Sequence, residues 1–280
     1  LENKGLEENT IVFFFFFFFC SLPGSKAYLR QAGTKVPMLA WFPPKWEHLA
    51  PKEQPAVYEK PVGFVDMGPT ALSLAGVEPP ERMQGKPFCG EYEQEPKDFA
   101  FLYKANQALN YIPARGITDG DFKLIWNYNT AFPKGTRQRF QWKMPGLRAW
   151  EQDFRAGNLS GVREAFWQPA PPIELYDLQN DPGETNNLAN DPNYSDELEF
   201  YTNKLKERLV ETQDLGFFPH SMRDFSDTAR ILYHDVRQTD YNLEEVYEAA
   251  AFASTAQPGD LDSLMALLNH PRPVIRYWGS

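Results

Sequence analysis

The sequence predicts an α/β fold whose last part is α-helical, and three patterns carry this prediction. Residues 11–20 form an apolar run of β-branched and aromatic residues, which is typical of a strand buried on both faces, as in a parallel sheet. Residues 116–128 contain the dipeptide Asp119-Gly120, which favours a hairpin turn between two strands. Residues 195–213 predict an amphipathic helix with Ser195 as N-cap and one apolar face, made of Leu198, Tyr201, Leu205 and Leu209.

Composition bounds the class of protein. The chain has 280 residues, 42% of them apolar, which suffices for one large domain or two smaller ones. Its formal net charge of −10 argues against a nucleic-acid partner, which would require a basic face. The run at 11–20 is about half as long as a spanning helix requires, so we predict no membrane span.

The start of the chain differs from a signal peptide. Acidic residues precede the apolar run and Pro23-Gly24 follows it, whereas a signal peptide has a basic start and a small-residue cleavage site. The sequence begins with Leu1 instead of Met, which favours a piece of a longer protein.

The remaining elements divide the chain into four predicted parts. We expect strands at 36–42, 99–103 and 174–178, a helix at 62–77, a long insertion at 129–172, and helices at 242–256, 261–269 and from 270 onward. These elements predict the end of an α/β domain over 1–97 and a subdomain of antiparallel sheet and helix over 98–215. A linker over 216–240 and a truncated array of helical repeats over 241–280 follow.

Several polar and aromatic residues have open roles at this level. A disulfide between Cys20 and Cys89 cannot be decided from spacing, and no metal-binding cysteine motif exists. His220 and His234 lack the spacing of metal ligands. Four tryptophans could stack on sugars, but packing inside the protein is the favoured role for each: Trp126, Trp142, Trp150 and Trp167.

Four ordered patterns carry a resemblance to a known family. Residues 174–178 read E-L-Y-D-L and are followed by N-D-P-G-E at 180–184 and N-N-L-A at 186–189. Upstream lie D-G-D-F-K-L-I at 119–125, V-D-M-G-P-T at 65–70 and G-T-K-V-P at 33–37. In this order and spacing, residues 1 to about 213 resemble the C-terminal part of formylglycine-dependent sulfatases. Residues 261–278 resemble one HEAT-type helical repeat.

The resemblance implies an alkaline-phosphatase-like α/β fold and hydrolysis of sulfate esters, on sulfated glycans or small molecules. Such enzymes use a formylglycine made from Cys or Ser and a divalent cation, usually Ca²⁺, held by hard oxygen ligands. The Cys/Ser-x-Pro/Ala-x-Arg motif is absent, since Cys20 is followed by Ser21-Leu22-Pro23. The resemblance therefore predicts that this chain is inactive as it stands, and a periplasmic or extracellular location for the intact protein.

Two positions conflict with a working calcium site. The resemblance places an Asp-His or Asp-Asn ligand pair at Phe17 and Phe18, and phenylalanine has no lone pair to offer a cation. Both belong to a run of seven phenylalanines, which a sequence error or gene decay explains better than packing does, because side chains of one size fill a core poorly.

The resemblance also implies three site residues. Lys26 corresponds to a family lysine that contacts sulfate, although without the resemblance a solvated loop lysine would be the favoured interpretation. Asn110 and Arg115 lie in a region that can face the sugar in relatives, with an ordinary loop as the favoured alternative. Arg30 and Lys35 are expected to be solvated.

Two other functions stay open: a non-catalytic binder of sulfated glycans that uses Lys26, and a helical-repeat scaffold built on residues 242–278.

Overall fold

The computed structural model describes residues 1–280 apart from 16–23, 108–109, 136, 138, 140, 223–232, 235 and 237–241. Strand β1 is Val12–Phe15 and strand β2 is Met38–Trp41, and the two pair antiparallel, with Val12 opposite Trp41. The predicted strand at 36–42 is confirmed. The expectation of a parallel strand buried on both faces is wrong for residues 12–15. Phe13 packs on Phe42 and Phe88, whereas Phe14, the next residue along the strand, is 51% exposed.

The predicted helix at 62–77 is shorter than expected. Helix α1 is a single turn at Gln31–Thr34. Further along the chain, a 3₁₀ turn at Phe64–Asp66 leads into helix α2, Met67–Leu74. Asp66 fixes the start of α2, since its buried carboxylate accepts from the backbone N–H of Gly63 (2.8 Å) and of Lys86 (2.9 Å). Lys97 completes the arrangement with an ion pair to Asp66.

A four-stranded antiparallel sheet forms the centre of the second half. Its order is β3 (Ala100–Gln107), β4 (Asn110–Thr118), β5 (Phe122–Asn127) and β6 (Ile173–Asp177). The predicted hairpin is confirmed: the Asp119 carboxylate accepts from the backbone N–H of Asp121 and of Phe122, both at 2.9 Å. The predicted insertion contains helices α3 (Pro145–Arg155) and α4 (Val162–Ala165).

Both faces of this sheet are covered, so the four central residues of β5, 123–126, are buried. On one side, here called the helix face, Ile117, Leu124 and Trp126 pack against helix α5, Ser195–Glu211. The predicted apolar face of α5 is confirmed, with Tyr201, Leu205 and Leu209 buried, although Ser195 is the first helical residue and not the cap. On the other side, here called the loop face, Leu29 packs against Ala114, Ile125, Tyr176 and Leu178.

The C-terminal helices share the core of the helix face. They are α6 (Leu243–Thr255), α7 (Leu261–Leu268) and α8 (Pro273–Trp278). The indole N–H of Trp126 donates to Ser254 (2.9 Å), and that of Trp278 donates to the carbonyl of Phe217 (3.1 Å). The predicted boundary at 216–240 therefore does not separate two hydrophobic cores. The division into domains and the HEAT-type repeat remain predictions.

Candidate functional site

Lys26 lies on a turn that is held on the loop face of the sheet. Ser25, Tyr28 and Leu29 are buried around it, while Lys26 itself is exposed. The Ser25 carbonyl accepts from the backbone N–H of Tyr28 (3.1 Å), and the Lys26 carbonyl accepts from the Gln141 side-chain amide (3.4 Å). The backbone of Lys26 is thus held by its neighbours, while the residue as a whole is exposed. Its role as the sulfate contact remains a prediction.

Arg30 was expected to be solvated, but it joins a buried charged cluster on the loop face. Its guanidinium donates to the Tyr176 hydroxyl (3.0 Å) and lies 3.7 Å from the Glu174 carboxylate. Glu174 also forms an ion pair with Lys134 and accepts from the Tyr176 hydroxyl. Burial by itself would raise the pKa of the Glu174 carboxyl, but the contacts with Lys134, Tyr176 and Arg30 together outweigh burial and hold this pKa below its ordinary value.

A second ion pair lies beside this cluster. Lys123 is fully buried, and its ammonium lies 3.0 Å from the carboxylate of Glu184. It also donates to the Leu29 carbonyl (3.2 Å) and the Gln31 side chain (3.1 Å). The second oxygen of Glu184 accepts from the backbone N–H of Gln31 (2.6 Å). These contacts tie the N-terminal turn to the sheet, which explains why a lysine interrupts an otherwise apolar strand.

A cavity lies next to the charged cluster. It measures about 40 Å³ and is lined by the turn at 28–30, by strands β3 to β6 and by residues of the 129–134 and 170 loops. Three of its lining side chains are cationic, namely Arg30, Lys104 and Lys134, and one is anionic, Glu174. The Lys104 ammonium lies 5.4 Å from the centre of the Tyr28 ring, and burial lowers the pKa of Lys104 to about 8.

Arg115 and Asn110 lie in strand β4, so the expectation that they belong to a loop is wrong. Arg115 is buried on the helix face, opposite to Lys26 and Arg30. Its guanidinium forms a two-point ion pair with Asp214 and donates to the carbonyls of Lys104 (2.9 Å) and Ala114 (2.8 Å). This geometry supports a structural role. The side chain of Asn110 is not among those described, and a sugar contact by either residue stays a prediction.

The other predicted site residues have varied placements. Cys89 is a buried free thiol whose pKa is raised to about 12 by burial, while Cys20 lies outside the described residues. The expected packing role suits the tryptophans: Trp126 lies in the core, Trp150 stacks on Phe166 at 4.5 Å, and Trp142 and Trp167 meet edge to face. His234 is exposed, and the side chain of His220 is not described.

The described residues do not fit a calcium ion. Within the described part of the chain, no three His, Cys, Asp or Glu side chains group in a way that could hold a metal. The two positions where ligands were expected, Phe17 and Phe18, lie outside the described residues and carry side chains without lone pairs. No described helix is long and apolar enough to cross a membrane.

Sequence reasoning missed the charged cluster because its members are far apart in the chain. Glu174 and Glu184 were recognised only as letters of a motif, and Lys104 and Lys134 were not singled out at all. A usable signal existed in β5 and β6, where Lys123 and Glu174 interrupt apolar strands. A charge at such a position requires a buried partner.

Comparisons with known proteins point to one family. No family model matches the chain. An ulvan-active sulfatase of Formosa agariphila is 31% identical over 226 residues, which are 79% of this chain and 36% of that protein. Human N-sulphoglucosamine sulphohydrolase is 27% identical over 231 residues, 76% of this chain and 44% of that protein. The chain thus spans less than half the length of these relatives.

Two solved structures show a weaker likeness. A 2-O GAG sulfatase is 20% identical with a TM-score of 0.41, over 64% of this chain and 30% of that chain. A protein solved in complex with its substrate D-glucosamine-2-N,6-O-disulfate is 19% identical with a TM-score of 0.45, over 76% of this chain and 37% of that chain. Scores this low do not by themselves establish a shared fold.

Proposed function

This chain belongs to the sulfatase family, and from that premise we propose that the longer protein hydrolyses sulfate esters of glycans or small molecules. The observation that carries the proposal is the 31% identity to a sulfatase across 79% of the chain. The activity is that of the relatives, and this chain covers only part of their length. A periplasmic or extracellular location follows from the same family relationship.

Lys26 is the residue that we propose as the contact to the sulfate group. A sulfate ester carries negative charge, and an ammonium held in place by a fixed backbone stabilises such charge without reorganising. Two observations support this role: Lys26 is exposed, and its carbonyl is tied to Gln141 in the insertion. The neighbouring buried residues Ser25 and Tyr28 keep the turn in place.

We further propose that the chain as it stands does not hydrolyse sulfate esters. It lacks the nucleophile motif, and phenylalanines occupy both expected ligand positions. The test is an aryl sulfate assay with added Ca²⁺, with wild type and Lys26→Ala compared at equal concentration. We expect both rates to equal the background. Turnover by the wild type clearly above that of Lys26→Ala would contradict inactivity.

A non-catalytic binder of sulfated glycans is the second candidate, and Phe17 and Phe18 are the observation that favours it. A pocket without metal ligands could retain Lys26 and bind an anion without turnover. Titration calorimetry with a sulfated oligosaccharide distinguishes the candidates. Saturable binding that Lys26→Ala abolishes supports the binder, and Lys204→Met, on the exposed surface of α5, serves as the matched control. Heat changes equal to those of buffer would contradict it.

A further inference from the structure

The cavity on the loop face has an excess of positive charge. Its lining and the adjacent buried pair together contain four cationic side chains, Arg30, Lys104, Lys123 and Lys134, against two carboxylates, Glu174 and Glu184. Glu184 is engaged by Lys123 at 3.0 Å. Glu174 is engaged by Lys134 and by Arg30. Two positive charges are therefore not balanced by these carboxylates.

Among the described cations around the cavity, Lys104 is the one without an ion pair to a carboxylate. Within the described part of the chain, no carboxylate lies within ion-pair distance of its ammonium, and its described contact is the face of the Tyr28 ring at 5.4 Å. Lys104 lies on β3 opposite Ala114 of β4, and both residues line the cavity. A largely buried ammonium is destabilising unless it binds an anion or water, so this position favours binding of an anionic ligand.

The size and the polar lining of the cavity fit one small group. Its volume of about 40 Å³ exceeds the roughly 10–15 Å³ that one water molecule needs. It is far below the roughly 300–1,000 Å³ of pockets that enclose drug-sized ligands. Arg30 and Lys134 supply further donors on the lining, and Asn129 offers an amide. A guanidinium and ammonium groups are the donors that bind oxyanions most strongly.

We propose that this cavity is a binding site for a single oxyanion of the sulfate type, with Lys104 as its principal contact. The ligand is either a free sulfate ion or the sulfate group of an ester, and the chemistry of recognition is the same for both. The site is separate from Lys26, whose side chain is exposed and is not part of the cavity lining. It therefore does not depend on the hydrolytic function proposed above.

The test is binding of sodium sulfate to the full chain by titration calorimetry, at constant ionic strength with sodium chloride. We expect saturable binding at a single site that Lys104→Met weakens by roughly tenfold or more, as loss of a charge-assisted hydrogen bond implies. Lys204→Met, on the exposed surface of α5, should bind sulfate as the wild type does. Chloride controls matter because sulfate stabilises folded proteins generally, by exclusion from their surface.

The outcomes separate the proposal from its rivals. Equal sulfate affinity of the wild type and Lys104→Met, or no saturable binding at all, would overturn it. Lys104→Gln and circular dichroism show whether a loss reflects misfolding, since both variants should retain the wild-type spectrum. Competition by a sulfated monosaccharide would identify an ester group as a ligand, whereas binding of inorganic sulfate alone would identify the free ion. Loss of binding in Lys26→Ala alone would assign sulfate to the Lys26 turn and reject the cavity.

Discussion

At the scale of single residues, the loop face depends on charges that have little access to water. Lys123 and Glu184 form a buried pair, and Arg30, Lys134 and Tyr176 all contact Glu174. Breaking a buried pair by removing one partner leaves the other charge uncompensated, which costs far more than breaking a surface pair. The pair also lies between the N-terminal turn and the sheet, so its loss would affect the position of both.

The first prediction concerns Lys123→Met, which leaves the Glu184 carboxylate buried without its ammonium. We expect the free energy of unfolding in urea to fall by about 3–5 kcal/mol. Lys204→Met breaks the exposed Lys204–Glu207 pair (2.8 Å) and should cost about 1 kcal/mol or less. The double variant Lys123→Met/Glu184→Gln should regain part of the loss, and equal effects of the two single variants would contradict a buried pair.

The second prediction concerns the protonation of Lys104. Burial lowers the pKa of Lys104 to about 8, whereas Glu174 of β6, the carboxylate that lines the same cavity, opposes this shift. Between about pH 8 and the ordinary lysine pKa near 10.4, the unfolded chain binds more protons than the folded chain at this residue. This residue's contribution to stability should therefore increase as pH rises through that window.

Urea unfolding of the wild type and Lys104→Met from pH 7 to pH 10, without sulfate, checks this sign. Because Arg30 and Lys134 are present in both proteins, their titration is common to both curves. The variant's stability relative to the wild type should be highest near pH 7 and should decline above pH 8. A difference that is constant over this range would contradict the lowered pKa.

At the scale of elements, α2 is held in place by close backbone approaches. Gly90 has a φ of +98°, and a Cβ atom there would lie 2.4 Å from the Ser73 hydroxyl oxygen and 2.7 Å from the Leu74 nitrogen. The N–H of Gly90 also donates to the Leu49 carbonyl (3.0 Å). Only glycine satisfies both the backbone conformation and the contact distance.

The third prediction follows from this contact. Gly90→Ala should lower the free energy of unfolding by about 1–3 kcal/mol, since it adds backbone strain and a clash with the end of α2. Gly259→Ala is the matched control, because a Cβ atom at Gly259 meets nothing within 4 Å. Thermal or urea unfolding measures the stability of both variants. Equal stability of the two would contradict the prediction, because it would show that the backbone around Gly90 accommodates a Cβ atom without loss of stability.

At the scale of the whole molecule, the C-terminal helices complete the core of the sheet. Trp278 of α8 is buried, contacts the rings of Tyr128 and Phe217, and donates to the Phe217 carbonyl. Val246 and Tyr247 of α6 belong to the same cluster as Trp126 of β5. This packing connects residues on both sides of the predicted linker at 216–240.

The fourth prediction is that Trp278→Ala destabilises the subdomain and not a separate helical unit. Removing this buried side chain should cost about 3–5 kcal/mol. The unfolding midpoint should move to a lower urea concentration by the same amount in near-ultraviolet circular dichroism, which reports packed aromatic rings, and in far-ultraviolet circular dichroism. Two separate transitions would contradict this: an early loss of the far-ultraviolet helical signal alone, followed by unfolding of the rest at the wild-type urea midpoint, would indicate an independent repeat unit.

The sequence by itself determined the local elements and the family. The hairpin at Asp119-Gly120 and the apolar face of α5 follow from local chemistry, since turn residues and periodicity act over a few positions. The ordered motifs from residues 33 to 189 were enough to indicate sulfatases, which the relatives support.

Only the tertiary structure decided how distant residues combine. It places Arg115 on the helix face with Asp214, and it places Arg30, which was expected to be solvated, on the loop face with Glu174. It also pairs β1 antiparallel with β2 and packs α8 on the sheet. The physical reason is that ion pairs, strand partners and core contacts join residues 23 to 153 positions apart, and local pattern does not encode which of several charges meets which partner.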